Sequence, residues 1–134
     1  MRNWFYLLGA VFGFLGVALG AFGAHALEDV LLANERVDTW ETAVKYHLLH
    51  ALLLIGIGLI RDRQGGRWIK VAGVAASIGI LVFSGSLYLL SVTNVTWLGA
   101  ITPIGGLGFM LAWVAIFIHS LTSFNRNHDS HRNA

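Results

Sequence analysis

The stretch WFYLLGAVFGFLGVALGAFGA, residues 4–24, contains no charged residue and decides the fold class. An α-helix rises about 1.5 Å per residue, so about 20 residues cross the roughly 30 Å hydrocarbon core of a bilayer. A secretory signal peptide has an apolar core of only about 7–15 residues, although Ala-His-Ala at 24–26 has the form of a cleavage site. We therefore interpret the stretch as a membrane-spanning helix that stays uncleaved.

The composition of the whole chain agrees with an integral membrane protein. Of its 134 residues, 56% are hydrophobic and 12% are charged, whereas a soluble domain carries about 25% charged residues. So few charges cannot cover a water-facing surface. The absence of cysteine excludes disulfides and thiolate metal ligands. No cluster of basic and aromatic residues indicates a nucleic-acid partner, so we expect the main contact to be the lipid bilayer.

Apolar stretches recur along the chain at lengths that suit a bilayer. We predict four membrane-spanning helices, at about residues 4–24, 41–60, 70–90 and 98–121. The predicted fold is all-α: a compact up-down bundle of four transmembrane helices, which forms a single domain over residues 1–124. Residues 125–134 are polar, and we expect them to form a disordered tail.

The basic residues predict the orientation of the bundle, because short loops rich in Lys and Arg stay in the cytoplasm. One side of the bundle carries seven of them: Arg2, Arg61, Arg63, Arg67, Lys70, Arg126 and Arg132. The other side carries only Arg36 and Lys45. We therefore predict that both termini are cytoplasmic.

The loop between the first two spans has its own pattern. Apolar residues recur at roughly helical spacing between its carboxylates, which predicts a short amphipathic helix on the outer interface. Asp38 and Glu41 have the spacing of a capping box, with Asp38 as the N-cap. The second long helix should therefore begin near Thr39.

Small residues predict where the helices touch, because transmembrane helices associate through close packing. Five glycines of the first span recur at spacings of 4, 3, 4 and 3, which keeps them on one narrow stripe of a helix. They are Gly9, Gly13, Gly16, Gly20 and Gly23. The third span carries a comparable stripe of Gly73, Ser77, Ser84 and Ser91. We interpret both stripes as helix-packing faces.

The candidate polar node consists of His25, Tyr46, His47 and His50. Ionisable residues inside a membrane are costly, and they are functional candidates for that reason. The favoured interpretation is structural, since a neutral histidine donates one hydrogen bond and accepts one, and so can link helices. Alternatives are a metal site that uses His25 and His50, a bis-histidine haem site, a quinone site, and a proton relay. On a regular helix His25 projects away from the glycine stripe, which argues against a tight histidine triad.

Four segments resemble a family of small bacterial inner-membrane proteins of unknown function that has eukaryotic transmembrane relatives. The segments are GAFGAHAL at 20–27, WETAVKY at 40–46 with HAL at 50–52, FSGSLY at 83–88, and TPIGG at 102–106. The resemblance implies a four-helix protein of the bacterial plasma membrane with an uncleaved N-terminus, and it implies no reaction. It also implies that His25 and His50 matter more than His47, because the His47 position varies in the family.

The sequence contains no nucleophile–base pair, no phosphate-binding loop and no paired intramembrane carboxylates. We therefore predict that the protein is not an enzyme and carries no cofactor. The favoured function is a small structural or accessory component, either self-associating or bound to a larger membrane complex. Two alternatives stay open: a metal-, haem- or quinone-binding protein that uses His25 and His50, and a small transporter or channel.

Overall fold

The computed structural model describes residues 3–132, with side chains described as far as residue 124. Every regular element in that part of the chain is helical. The elements are α1 (Trp4–Ala24), α2 (Glu28–Ala33), α3 (Val37–Gln64), α4 (Arg67–Gly79), a π-helical segment (Ile80–Ser84), α5 (Gly85–Thr93), a 3₁₀-helical segment (Thr96–Ala100) and α6 (Thr102–Arg132).

Four helices are long and apolar enough to cross a membrane, which confirms the number of spans predicted from the sequence. They run over Trp4–Ala24, Val37–Gln64, Arg67–Thr93 and Thr96–Phe124. The third consists of α4, the π-helical segment and α5, which follow one another without a break. The cytoplasmic placement of the termini stays a prediction.

The outer loop contains the short helix that its pattern predicts, α2, but the predicted capping box does not form. Helix α3 begins at Val37, with Arg36 at the N-cap position and no side-chain hydrogen bond there. The Trp40 N–H already donates to Arg36 O, at 3.0 Å. Glu35 adopts a left-handed φ of 56°, which turns the chain into the helix two residues earlier than expected. Asp38 therefore lies inside the first turn.

The end of the chain also differs from expectation. Helix α6 continues to Arg132, so residues 125–132 have a helical backbone where we expected a disordered tail. The sequence contains no glycine or proline after Gly108, and these are the residues that most strongly end a helix. Residues 133–134, which we also assigned to the tail, lie outside the described part.

The middle two spans form the centre of the bundle. Helix α1 packs on α3, α6 packs on α4, and α3 packs against α4 and α5. The buried share is 39% and 44% for the second and third spans, but only 22% and 28% for the first and fourth. The largest cluster of buried side chains includes Phe5, Phe12, Leu54, Ile57, Ile69, Ile80 and Phe109. The outer two spans consequently expose wide faces to the lipid.

Most of the glycine stripe of α1 lies against α3. A Cβ atom built on Gly9 would lie 2.7 Å from Ile55 Cδ1, and one built on Gly16 would lie 2.6 Å from Leu48 Cδ2. Gly20 and Gly23 also face side chains of α3. Gly13 differs, because a Cβ atom added there would have no neighbour within 4 Å among the described residues. Close approach of the two helices therefore depends on the remaining four glycines.

The small residues of the third span have different roles from one another. Gly73 lies against the ring of Phe5, so it lets α1 approach α4. The Ser77 hydroxyl donates to Gly73 O of its own helix at 2.8 Å. The Ser84 hydroxyl instead donates across the bundle to Ala43 O at 2.9 Å, where both groups are buried. Of these two serines, only Ser84 forms a hydrogen bond to another helix.

Candidate functional site

The structure divides the candidate polar node. His25 is the C-cap residue of α1, where the backbone leaves the helix, and its side chain is exposed. Tyr46, His47 and His50 lie on α3, and both of these histidines are buried. Within residues 3–124, no three histidine or carboxylate side chains form a group that could hold a metal ion. A role for His25 and His50 as a metal or haem pair stays an untested prediction.

His47 connects three helices. Its Nδ1 atom forms a hydrogen bond of 3.1 Å with the hydroxyl of Tyr88 on α5. Its ring also meets the ring of Phe12 on α1 edge to face, with centroids 5.8 Å apart. Its other ring nitrogen, Nε2, is buried and has no hydrogen-bond partner among the described residues. His47 therefore joins α3 to α5 and also packs against α1.

His50 forms its hydrogen bond within its own helix. Its Nδ1 atom lies 2.8 Å from Tyr46 O. Because a carbonyl oxygen only accepts, Nδ1 must carry the proton, and Nε2 of the neutral ring is then a hydrogen-bond acceptor. That Nε2 atom is buried and has no partner among the residues that the structure describes. A buried acceptor without a donor costs about 1–3 kcal/mol.

Aromatic side chains fix the plane of the His50 ring. Phe109 on α6 stacks on it, with centroids 3.6 Å apart and planes 12° from parallel. Trp113, one turn further along α6, meets it edge to face at 6.4 Å. Tyr46 lies parallel to it at 6.2 Å, one turn earlier on α3. The direction of Nε2 is therefore set by contacts with both α3 and α6.

A groove of about 580 Å³ lies beside His50, between α3, the π-helical segment and α6. Its lining includes Tyr46, Leu49, His50, Phe83, Met110 and Trp113. All of these except His50 and Phe83 are exposed on the outside of the bundle. The groove therefore opens sideways, toward the lipid.

The wall of this groove depends on the start of α6 and on the π-helical segment. Pro103 lies in the first turn of α6, where its missing N–H costs nothing. A Cβ atom on Gly105 would overlap the backbone of Phe83, so only glycine allows α6 to approach that closely. The π-helical turn, a feature often found at functional sites, sets the position of Phe83 beside Phe109, with ring centroids 5.3 Å apart.

Comparison with known proteins places the chain in a family. A family model described as a protein of unknown function (DUF423) matches residues 19–106. The chain belongs to the DUF423 family. This agrees with the resemblance inferred from the four sequence segments. No solved structure matches this DUF423 protein.

Curated relatives of this DUF423 protein are named as membrane proteins. It is 44% identical over 115 residues to the UPF0382 membrane protein YwdK of Bacillus subtilis, an alignment that covers 85% of this chain and 93% of the relative. It is 46% identical over 119 residues to a UPF0382 membrane protein of Staphylococcus epidermidis, covering 87% and 94%. It is 33% identical over 115 residues to the UPF0382 inner membrane protein YgdD of Escherichia coli, covering 86% and 87%. The protein is therefore a multi-pass membrane protein of a family to which no activity is assigned.

The groove is the part of the site that the sequence did not reveal. His50 and Tyr46 were candidates, but Phe83, Phe109 and Trp113 were not. The spacing of four between Phe109 and Trp113 places both on one face of α6, and this signal could have found them. Nothing in the residue types indicates that the face turns toward His50 rather than toward the lipid.

Proposed function

We propose that this DUF423 protein is a non-enzymatic accessory component of the plasma membrane, which acts by binding another membrane-embedded protein or a second copy of itself. The observation that carries the proposal is that a side-chain hydrogen bond joins each span to the next. One such bond at each of the three junctions is Trp40 Nε1 to Leu19 O (3.0 Å), Ser84 Oγ to Ala43 O (2.9 Å) and Ser86 Oγ with Thr102 Oγ1 (2.7 Å).

These bonds favour a fixed scaffold over a transporter. Alternating access requires one group of helices to rock against another around a site. In this bundle, such a motion would separate donors and acceptors inside the membrane, where no bulk water replaces the lost partner. Each interhelical bond contributes about 0.6 kcal/mol on average in a membrane protein, so three bonds along the bundle favour one arrangement of the spans.

The polar residues of the spans also support a binding role rather than a catalytic one. The Nδ1 atom of His47 forms a hydrogen bond with Tyr88, and the Ser84 hydroxyl donates to the α3 backbone. Catalysis by a nucleophile needs a nucleophile and a base within hydrogen-bond reach. Within the described residues, the buried serines of the third span form hydrogen bonds with backbone carbonyls and with the Thr102 hydroxyl. Neither of these groups can act as a general base.

Partner contacts are expected on the large apolar faces of the outer surface. Phe14 on α1 is 74% exposed, and Leu52 on α3 is 71% exposed. Leu54, two residues from Leu52, is 0% exposed and serves as a matched control. We would place a photo-cross-linking phenylalanine analogue at each position in turn and irradiate native membranes.

The proposal expects a discrete protein adduct from Phe14 or Leu52, and none to other proteins from Leu54. An adduct of twice the chain mass would identify a second copy, and an adduct of another mass would identify a complex with a different protein. If both exposed positions gave only the uncross-linked chain, the accessory role would be wrong.

A further inference from the structure

We propose that the groove between α3 and α6 binds a lipid-soluble compound with a ring hydroxyl group, a phenol or a quinol, whose hydroxyl donates a hydrogen bond to Nε2 of His50. This goes beyond the accessory role, because it assigns a small-molecule site to the bundle.

The polarity of the site follows from the tautomer of His50. Its Nδ1–H donates to Tyr46 O at 2.8 Å, which leaves a lone pair on Nε2. The ring is only 2% exposed, and Nε2 has no donor among the described residues. Lipid chains offer no donor at this depth. The atom is covered in this structure, so a side chain of the groove must move aside before a bound hydroxyl group can supply the missing hydrogen bond.

The depth of the site restricts the ligand to molecules that dissolve in the membrane. His50 is the fourteenth residue of the 28-residue helix α3, and it therefore lies about 20 Å along that helix. The described residues that line the groove include no lysine, arginine or carboxylate. An ion or a sugar would lose its hydration there without compensation, whereas an apolar molecule can enter sideways from the lipid.

The shape and walls of the groove suit a planar ring. Its volume of about 580 Å³ lies within the roughly 300–1,000 Å³ typical of small-molecule sites. Tyr46, Phe83 and Trp113 present aromatic surfaces to it, and aromatic rings prefer offset-stacked or edge-to-face contacts. The lateral opening lets an alkyl or isoprenoid tail remain in the bilayer while the ring lies against His50.

The same chemistry distinguishes a reduced ring from an oxidised one. A quinone presents only carbonyl acceptors, and two acceptors cannot form a hydrogen bond with each other. A quinol or a phenol presents the required O–H. We therefore expect the site to prefer the hydroxyl form of any ring that fits.

The test uses the full chain in lipid nanodiscs, with ¹⁵N-labelled histidine side chains followed by NMR. The first probe is α-naphthol, and its matched control is the methyl ether of α-naphthol, which has the same ring and no donor. We expect α-naphthol to shift the Nε2 resonance of His50, and the ether to bind about 10-fold more weakly. Equal binding of the two compounds would overturn the proposal.

Variants locate the site. His50→Phe keeps an aromatic ring and removes the acceptor, so it should weaken α-naphthol binding about 10-fold. His119→Phe is the matched control, because His119 is also buried but does not line the groove. Leu49→Trp fills the groove from its exposed edge and should abolish binding even if His50→Phe does not fold. Binding that survives Leu49→Trp unchanged would place the ligand elsewhere and overturn the proposal.

A last comparison distinguishes the two sources of the ring hydroxyl. A short-chain prenylated quinol and an alkylphenol of equal hydrophobicity are titrated under anaerobic conditions. Tighter binding of the quinol identifies quinols as the ligand class, and equal binding identifies phenols in general. If the corresponding quinone bound as tightly as the quinol, the acceptor role of Nε2 would be wrong. None of these outcomes depends on a protein partner, so the accessory role is tested separately.

Discussion

The imidazole ring of His50 and the phenyl ring of Phe109 lie face to face, with centroids 3.6 Å apart and planes 12° from parallel. This contact joins α3 to α6, two helices that otherwise border the open groove. Phe109 also belongs to the main buried cluster. One side chain therefore supports both the core and the wall of the candidate site.

We expect Phe109→Ala to destabilise the protein by about 3–5 kcal/mol, because it removes a buried ring and leaves a cavity beside His50. Phe117→Ala is the matched control on the same helix, since Phe117 is exposed to lipid. Reversible unfolding in mixed micelles measures both. Equal losses in the free energy of unfolding for the two variants would contradict the expectation that burial of Phe109 against His50 stabilises the protein.

Ser84→Ala should destabilise the bundle by about 0.6–1.7 kcal/mol, because it removes one of the hydrogen bonds between α3 and the third span. Ser77→Ala should change stability less, since its hydroxyl bonds only within its own helix. The difference between the two free energies of unfolding isolates the interhelical bond. A larger effect at Ser77 would contradict this assignment.

Gly105→Ala should be strongly unfavourable, because its Cβ would overlap the backbone of Phe83 and push α6 away from the π-helical segment. We expect a loss of about 1–3 kcal/mol. At Gly106, one residue later, a Cβ would lie 3.7 Å from Phe83 Cδ2, so Gly106→Ala should be tolerated and should gain helix propensity. Thermal unfolding of the two variants in the same detergent provides the comparison.

The orientation predicted from the basic residues can be measured directly, because the chain contains no cysteine. Val95→Cys should react with a membrane-impermeant maleimide on intact cells. Arg63→Cys should react only after the membrane is permeabilised. Labelling in the reverse order would show that the termini face outward, against the bias in lysine and arginine.

The sequence predicts the spans well because the signals that define them are local. A charge-free run of about 20 residues needs no tertiary contact to be recognised, and α1 has the bounds expected for it. The predicted start of α3 was wrong because the left-handed turn at Glu35 begins the helix before Asp38 can cap it. The capping pattern is present in the sequence, but the turn at Glu35 makes the helix begin at Val37 instead.

The candidate site could be predicted only in part. Residue type and position identified His50 as a buried ionisable group. The direction of its ring depends on how α6 packs. That packing requires glycine at position 105, because a Cβ atom there would overlap the backbone of Phe83. His25 had the same residue type and a helix-end position, yet its side chain is exposed. Burial inside a membrane bundle is set by rotation of each helix, which composition does not determine.

The π-helical turn at Ile80–Ser84 lies between two parts of one span that pack against different sets of helices. Before the turn, α4 packs against α6 and α3, and after it, α5 packs against α3. The turn holds one residue more than an α-helical turn, so a deletion of one residue within it would restore regular α-helical winding and leave α4 and α5 in phase. A deletion of one residue between Gly85 and Leu87, in the regular helix that follows, would instead rotate Tyr88 by about 100° around the helix axis and take it away from His47. The span therefore tolerates the loss of a residue at the turn and does not tolerate it just beyond the turn.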